Sequence, residues 1–211
     1  MAATERLAAG AVALVALAAL TAQAVVISEG VGAETPWMVV WKMAGSFSLL
    51  ANAAVVAVLG LVGFAGLIAS ARQAGAVTVG ILAVGIINNA FPASLGSLVG
   101  LDYWADFGLH VAVPLLVLAW WLAYARRDSL RALDAFLWLG WPVAYVVYVL
   151  VREMLTGQAP YAFLDVSRFG WPGVSVHIVG FALLILVLGA ALLLIAKAFG
   201  PRTRHQRRVS R

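Results

Sequence analysis

Six runs of almost uninterrupted apolar residues, each near the length that crosses a bilayer, dominate this chain: Leu7–Ile27, Ala44–Ala69, Ala76–Phe91, Ala105–Tyr124, Leu133–Leu155 and Gly173–Ala198. About 20 apolar residues in a helix span the hydrocarbon core of a membrane. With 64% of its 211 residues hydrophobic and 11% charged, the chain carries less than half the charge of an ordinary soluble domain, where about a quarter of residues are charged. Lipid is the solvent that suits it. The expected fold is all-α: one six-helix transmembrane bundle over residues 1–200, followed by a basic tail at 201–211. Gly, Pro and charged residues cluster in every break between the runs. Arg6 and the Ala22-Gln23-Ala24 stretch resemble a cleavable secretion signal. The first run is longer than the roughly 7–15-residue core of such signals, so an uncleaved helix is expected.

Charge placement sets the expected orientation. With the N-terminus inside, Arg6, Arg72, Arg126, Arg127, Arg131, Lys197, Arg202, Arg204, Arg207, Arg208 and Arg211 are cytoplasmic, which is 11 of 14 basic residues; Lys42, Arg152 and Arg168 lie outside. The positive-inside rule then places both termini in the cytoplasm of a multi-pass plasma-membrane protein. Trp37, Trp41, Trp104 and Trp171 are expected at the outer interface, and Trp120, Trp121, Trp138 and Trp141 at the inner one. The tail is read as a topology signal on anionic headgroups. Nucleic-acid binding is not expected, because nothing else in the chain supplies a groove-reading element.

Polar side chains are costly in a membrane, so their depth is informative. The orientation brings Ser46, Ser48, Asn52, Asn88, Asn89, His110, Tyr148, Arg152 and His177 into the outer half. Spacing adds detail. Ser48 and Asn52 share a helix face. Asp106 lies four residues before His110, where it can fix the tautomer of the imidazole. Trp141, Tyr145, Tyr148 and Arg152 form a stripe. Pro114 has no N–H, so the carbonyl of His110 loses its helical partner and needs protein or water beside it; Pro92 does the same for Asn88. His177 follows Pro172 and Gly173 and is expected to face the headgroups. Arg152 is expected to snorkel or to pair with Glu153 or Asp165.

The stretch Leu109-His110-Val111-Ala112-Val113-Pro114-Leu115-Leu116, with Trp120-Trp121-Leu122, resembles the central motif of a six-span family of bacterial membrane proteins related to the eukaryotic androgen-induced, FAR-17a-like proteins. So do Trp141-Pro142-Val143-Ala144-Tyr145-Val146-Val147-Tyr148, the loop Pro160–Asp165 with Gly170-Trp171, and Phe47-Ser48-Leu49-Leu50-Ala51-Asn52 against Phe-Thr-x-x-Ser-Asn. The resemblance implies a hydrolase of fatty-acid esters with a Thr nucleophile and a His. Carried over, Ser48 is the nucleophile and His110 the base. Ala51 stands where the motif has Ser, and Ala119 where it has Asp.

Topology and resemblance thus select the same pair. The expected chemistry is attack of the Ser48 hydroxyl on a lipid ester, with His110 as base, Asp106 orienting it, and Asn52, Asn88 or Arg152 stabilising the oxyanion. No cofactor is expected, and the partners are membrane lipids and the lipid ester itself. The alternative is a lipid or small-molecule binding or transport protein that uses the same layer without chemistry. A retinal-type Schiff base is excluded, since Lys42 and Lys197 both sit at helix ends. A metal centre of His110, His177 and Asp106 lacks a supporting ligand motif. With no cysteine, thiolate chemistry and disulfides are excluded.

Overall fold

The computed structural model describes residues 2–30, 35–90 and 98–199. The basic tail, Glu34 and Pro92 lie outside them. Among the described residues the regular secondary structure is all helical, with no strand. Its elements are α1 (Ala3–Gly30), α2 (Pro36–Ala44), α3 (Phe47–Gly63), α4 (Ala71–Ala90), α5 (Leu101–Phe107), a π-helical turn (Gly108–Ala112), α6 (Val113–Tyr124), α7 (Ala132–Leu137), α8 (Gly140–Thr156), a 3₁₀ turn (Ala162–Leu164) and α9 (Val166–Phe199). Five spans are long and apolar enough to cross a membrane, and the bent pair α2–α3 makes a sixth if taken as one span.

The second apolar run, Ala44–Ala69, is helical only over α3, which ends at Gly63, and a separate helix, α2, precedes the run. Thr35 leads into α2, which Pro36 starts, because proline at a first helical position loses no bond. At Gly45–Ser46 the chain turns by 99° into α3. Ser46 caps the new helix, its hydroxyl accepting the N–H of Leu49 at 3.4 Å. The elbow puts Ser48 in the first turn of α3. Hydropathy alone cannot register such a bend, since both arms are apolar.

Packing is close where residues are small. A Cβ on Gly63 would meet the Gly10 backbone at 2.5 Å, so α1 and α3 touch almost backbone to backbone, as small residues permit in membranes. Trp120, Trp121 and Trp138 are buried rather than forming an interfacial belt. Trp138 lies against Gly75, where a Cβ would come within 2.3 Å of its ring, and its indole N–H donates to the Arg72 carbonyl at 3.0 Å. Small residues opposite a large ring make an interior slot, which takes the tryptophan out of the interface.

Two polar clusters mark the two ends of the bundle. At one end, Arg72 on α4 meets Asp134 on α7, Nε to Oδ1 at 2.6 Å, and the Arg131 N–H donates to the other carboxylate oxygen at 2.8 Å. At the other end lie the α2–α3 elbow, the π turn and the 3₁₀ turn.

A serine, histidine and aspartate around an apolar pocket

Ser48, His110 and Asp106 form a continuous hydrogen-bonded chain. Ser48 Oγ lies 2.6 Å from His110 Nε2. On the far side of the ring, Nδ1 lies 2.8 Å from Asp106 Oδ1 and 3.1 Å from the Asp106 carbonyl. A backbone carbonyl can only accept, so Nδ1 carries the proton and Nε2 is left with a lone pair for the serine hydroxyl.

The local sequence explains how the histidine is held. Pro114 has no N–H to give the His110 carbonyl, and the helix widens there into a π turn in which the Val113 N–H reaches Gly108. Such bulges recur at functional sites. The orphaned His110 carbonyl accepts instead from Asn89 Nδ2 at 3.2 Å, and the same amide donates to Gly85 at 2.8 Å. Gly85 allows this approach: a Cβ there would sit 3.1 Å from both the His110 oxygen and Pro114 Cγ.

Asn52 ties the serine helix to the histidine segment. Fully buried, it donates through Nδ2 to the Ser48 carbonyl at 2.9 Å and to the Leu109 carbonyl at 3.3 Å. Both partners are carbonyls, which fixes the amide orientation. Its Oδ1 is buried without a partner among the described residues.

Ser48, His110, Asn88 and His177 all line one pocket, which encloses about 610 Å³ with its mouth included. The rest of its wall is mainly apolar, including Phe47, Phe163 and Phe181. Tyr161, delivered by the loop after α8, reaches the elbow: its hydroxyl lies 3.1 Å from Ser46 Oγ and 3.5 Å from the Ser48 N–H.

Three expectations change. His177 lines the pocket instead of facing headgroups; its Nδ1 donates to the Phe163 carbonyl at 2.7 Å, and Phe169 packs edge-on against the ring. Neither Asn52 nor Arg152 lines the pocket that Ser48 and His110 share, so neither is placed to serve an oxyanion there. The first is committed to two carbonyls, and Arg152 Nη1 donates to the Trp41 carbonyl at 2.8 Å and to Tyr148 Oη at 3.0 Å. Arg152 also pairs with neither Glu153 nor Asp165. Glu153 accepts the Val166 N–H, and Asp165 accepts from Ser167 and Arg168. The predicted layer, with Asp106, therefore separates into three groups: Ser48, His110, Asn88 and His177 on the pocket; Asn52, Asn89 and Asp106 bracing it; Ser46, Tyr148 and Arg152 at the elbow.

Tyr161 and Gly85 carry weight that spacing did not reveal, because their partners are distant in sequence. Tyr161 appears in the sequence only as part of a loop motif, and a glycine in a transmembrane run gives no local sign of what it faces. Among the described residues, no group of three or more His, Cys, Asp or Glu is placed to hold a metal ion. No family model, curated protein or solved structure matches the chain.

Proposed function

We propose that the chain is an integral membrane hydrolase of lipid esters, acting through a Ser48–His110–Asp106 triad. The observation that carries the reading is the 2.6 Å contact between Ser48 Oγ and His110 Nε2, with Nδ1–H already committed to Asp106. A base with its lone pair on the hydroxyl and its tautomer fixed behind it is the arrangement that nucleophilic catalysis needs. We also place the protein in the plasma membrane with both termini cytoplasmic, so that the site opens to the outer half of the bilayer. The likeness to the six-span FAR-17a-related family rests on the same residues, and we read Ser48 as occupying its Thr position.

The reaction runs in two halves. His110 Nε2 takes the Ser48 proton as Oγ bonds to the ester carbonyl carbon. The tetrahedral intermediate collapses by breaking the acyl C–O bond, and His110 returns the proton to the departing alcohol oxygen. Water then attacks the acyl-Ser48, losing its proton to His110. The Asp106 carboxylate steadies the imidazolium in both halves. The acid is released, and the proton goes back to Ser48.

Ser48 lies in the first turn of α3, where backbone N–H groups have no intrahelical acceptor and the helix dipole favours negative charge. Asn88 and the Tyr161 hydroxyl, which line the pocket with Ser48 and His110, are the donors assigned to the oxyanion. The aromatic pocket takes the acyl chain.

Purified protein treated with a fluorophosphonate probe tests the proposal. Labelling of wild type, lost in both Ser48→Ala and His110→Ala, is the expected result. Absence of labelling in wild type would leave the binding or transport reading, and labelling that persists in Ser48→Ala would move the nucleophile elsewhere.

A further inference from the structure

Behind the Ser46–Tyr161 contact lies a second pocket of opposite character, enclosing about 670 Å³ with its mouth included. Trp41, Lys42, Ser46, Arg152, Gln158 and Tyr161 contribute to its wall. Tyr161 also borders the apolar pocket, and Ser46 is two residues before Ser48, so the two spaces adjoin at the proposed nucleophile. Among the described residues, the wall of the second pocket includes Arg152 and Lys42 and no carboxylate. Glu153, next to Arg152 in sequence, points its Oε1 to the Val166 N–H and borders a different cavity.

Arg152 is held rigidly. Its guanidinium carbon lies 4.0 Å above the Trp41 ring centroid, and both hydrogens of Nη1 are used, by the Trp41 carbonyl and the Tyr148 hydroxyl. Nε and Nη2 have no hydrogen-bond partner among the described residues, which leaves three N–H donors. Gly45 keeps the approach clear, since a Cβ there would stand 3.0 Å from Nη1. A planar, fixed fork with unused donors matches the oxygens of a phosphate or carboxylate.

We infer that this pocket binds the anionic group, phosphate or carboxylate, of an amphiphilic ester whose acyl chain occupies the aromatic pocket. This rests on the hydrolase reading. The substrate class is an acyl ester only a few bonds from an anion, as in a monoacylglycerol phosphate. The ester bond then straddles the Ser46–Tyr161 boundary, and the alcohol leaves on the cationic side.

The test uses the purified full-length chain in neutral detergent with non-hydrolysable hexadecyl ethers of glycerol, glycerol phosphate and glycolate, titrated calorimetrically. The corresponding palmitoyl esters of glycerol, glycerol phosphate and glycolate are assayed for turnover alongside. The two anionic ethers bind at least about tenfold tighter than the neutral one, the scale expected of hydrogen bonds to a charged group. Their ranking tells phosphate from carboxylate. In Arg152→Gln the anionic advantage disappears, and in Arg152→Lys part of it remains. Equal binding of anionic and neutral ethers by wild type would overturn the inference, as would an unchanged anionic preference in Arg152→Gln. Ester turnover separates the two ideas. Hydrolysis without charge preference overturns the subsite and keeps the hydrolase, whereas charge-selective ether binding without hydrolysis keeps the subsite and removes the hydrolase.

Discussion

The two polar clusters at opposite ends of the bundle use similar parts to different ends. At Arg72–Asp134 the acceptors are filled: one carboxylate oxygen takes the guanidinium and the other takes a backbone N–H that closes the start of α7. The cluster clips two helices together. At Ser48–His110–Asp106 the chain of bonds ends in a hydroxyl that borders an apolar cavity. Three further side chains, Asn52, Asn89 and Tyr161, bond to the backbone or capping hydroxyl of the same segments. A closed cluster spends its hydrogen bonds on the fold; the open one has other residues hold its backbone, so that its own hydroxyl and imidazole stay available.

Mutations should separate the two ends, and the largest effects belong to the open one. Ser48→Ala and His110→Ala should each reduce ester turnover by about 10⁴-fold or more, with the double variant no worse than either single one, because triad members act as a unit. Steady-state hydrolysis of a palmitoyl ester measures this, and additive losses would break the unit. Asp106→Asn should cost between about 10² and 10⁴-fold, since the ring loses its fixed tautomer while the pocket survives. Phosphonate labelling that is slowed but not lost is the matching observation.

Asn52→Leu sharpens the comparison, because it removes a brace without touching the reacting atoms. Two buried carbonyls lose their donor at about 1–3 kcal/mol each, so this variant should melt earlier and label more slowly. Asp134→Asn at the closed end should lower stability by a similar ~1–3 kcal/mol yet leave the labelling rate of the folded fraction within about twofold. Thermal unfolding in detergent, followed beside labelling, tells them apart; a large labelling defect in Asp134→Asn would show that the ends are coupled. A modest effect at the open end, with no polar group removed, is expected from Gly85→Ala. The added methyl presses on the His110 carbonyl and Pro114, and a shift of a few tenths of an ångström should slow labelling by about three- to tenfold.

How much of this was visible in the sequence depends on how local each cause is. The freed carbonyl of His110 could be read from Pro114 because a missing N–H acts four residues away, and the structure supplies its new partner in Asn89. The His110–Asp106 contact was legible for the same reason, being one helical turn. Asn52 was recognised as polar and on the Ser48 face, but its second partner, Leu109, is 57 residues away, and no spacing rule reaches that far. Tyr161 is further still from the serine it approaches. Five of the six apolar runs were recovered as helices able to span, while the second ends early, at Gly63, and makes a sixth span only together with α2 across the elbow at Gly45–Ser46. The break between α7 and α8 and the early start of α9 at Val166 are further departures in shape. Hydropathy measures how apolar a stretch is, and a bend between two apolar arms leaves that unchanged. Tryptophans misled for a related reason, since burial against Gly75 and a place in the interface look alike until the facing helix is known.

The π turn at Gly108–Ala112 has a further consequence for how this chain tolerates change. A helix with one residue more than its ladder needs turns everything beyond that point by about 100°. The faces of α5 and α6 are therefore set independently, one presenting Asp106 and the other Val117 and Trp121 to the interior. Deleting a single residue between 108 and 112 would restore an unbroken ladder and keep the length of the span nearly the same. The faces on either side would keep their places, and what would be lost is the wide turn around His110, in which the Val113 N–H reaches Gly108. Insertions and deletions are usually judged by where loops are; here the most sensitive position to count residues is in the middle of a transmembrane helix.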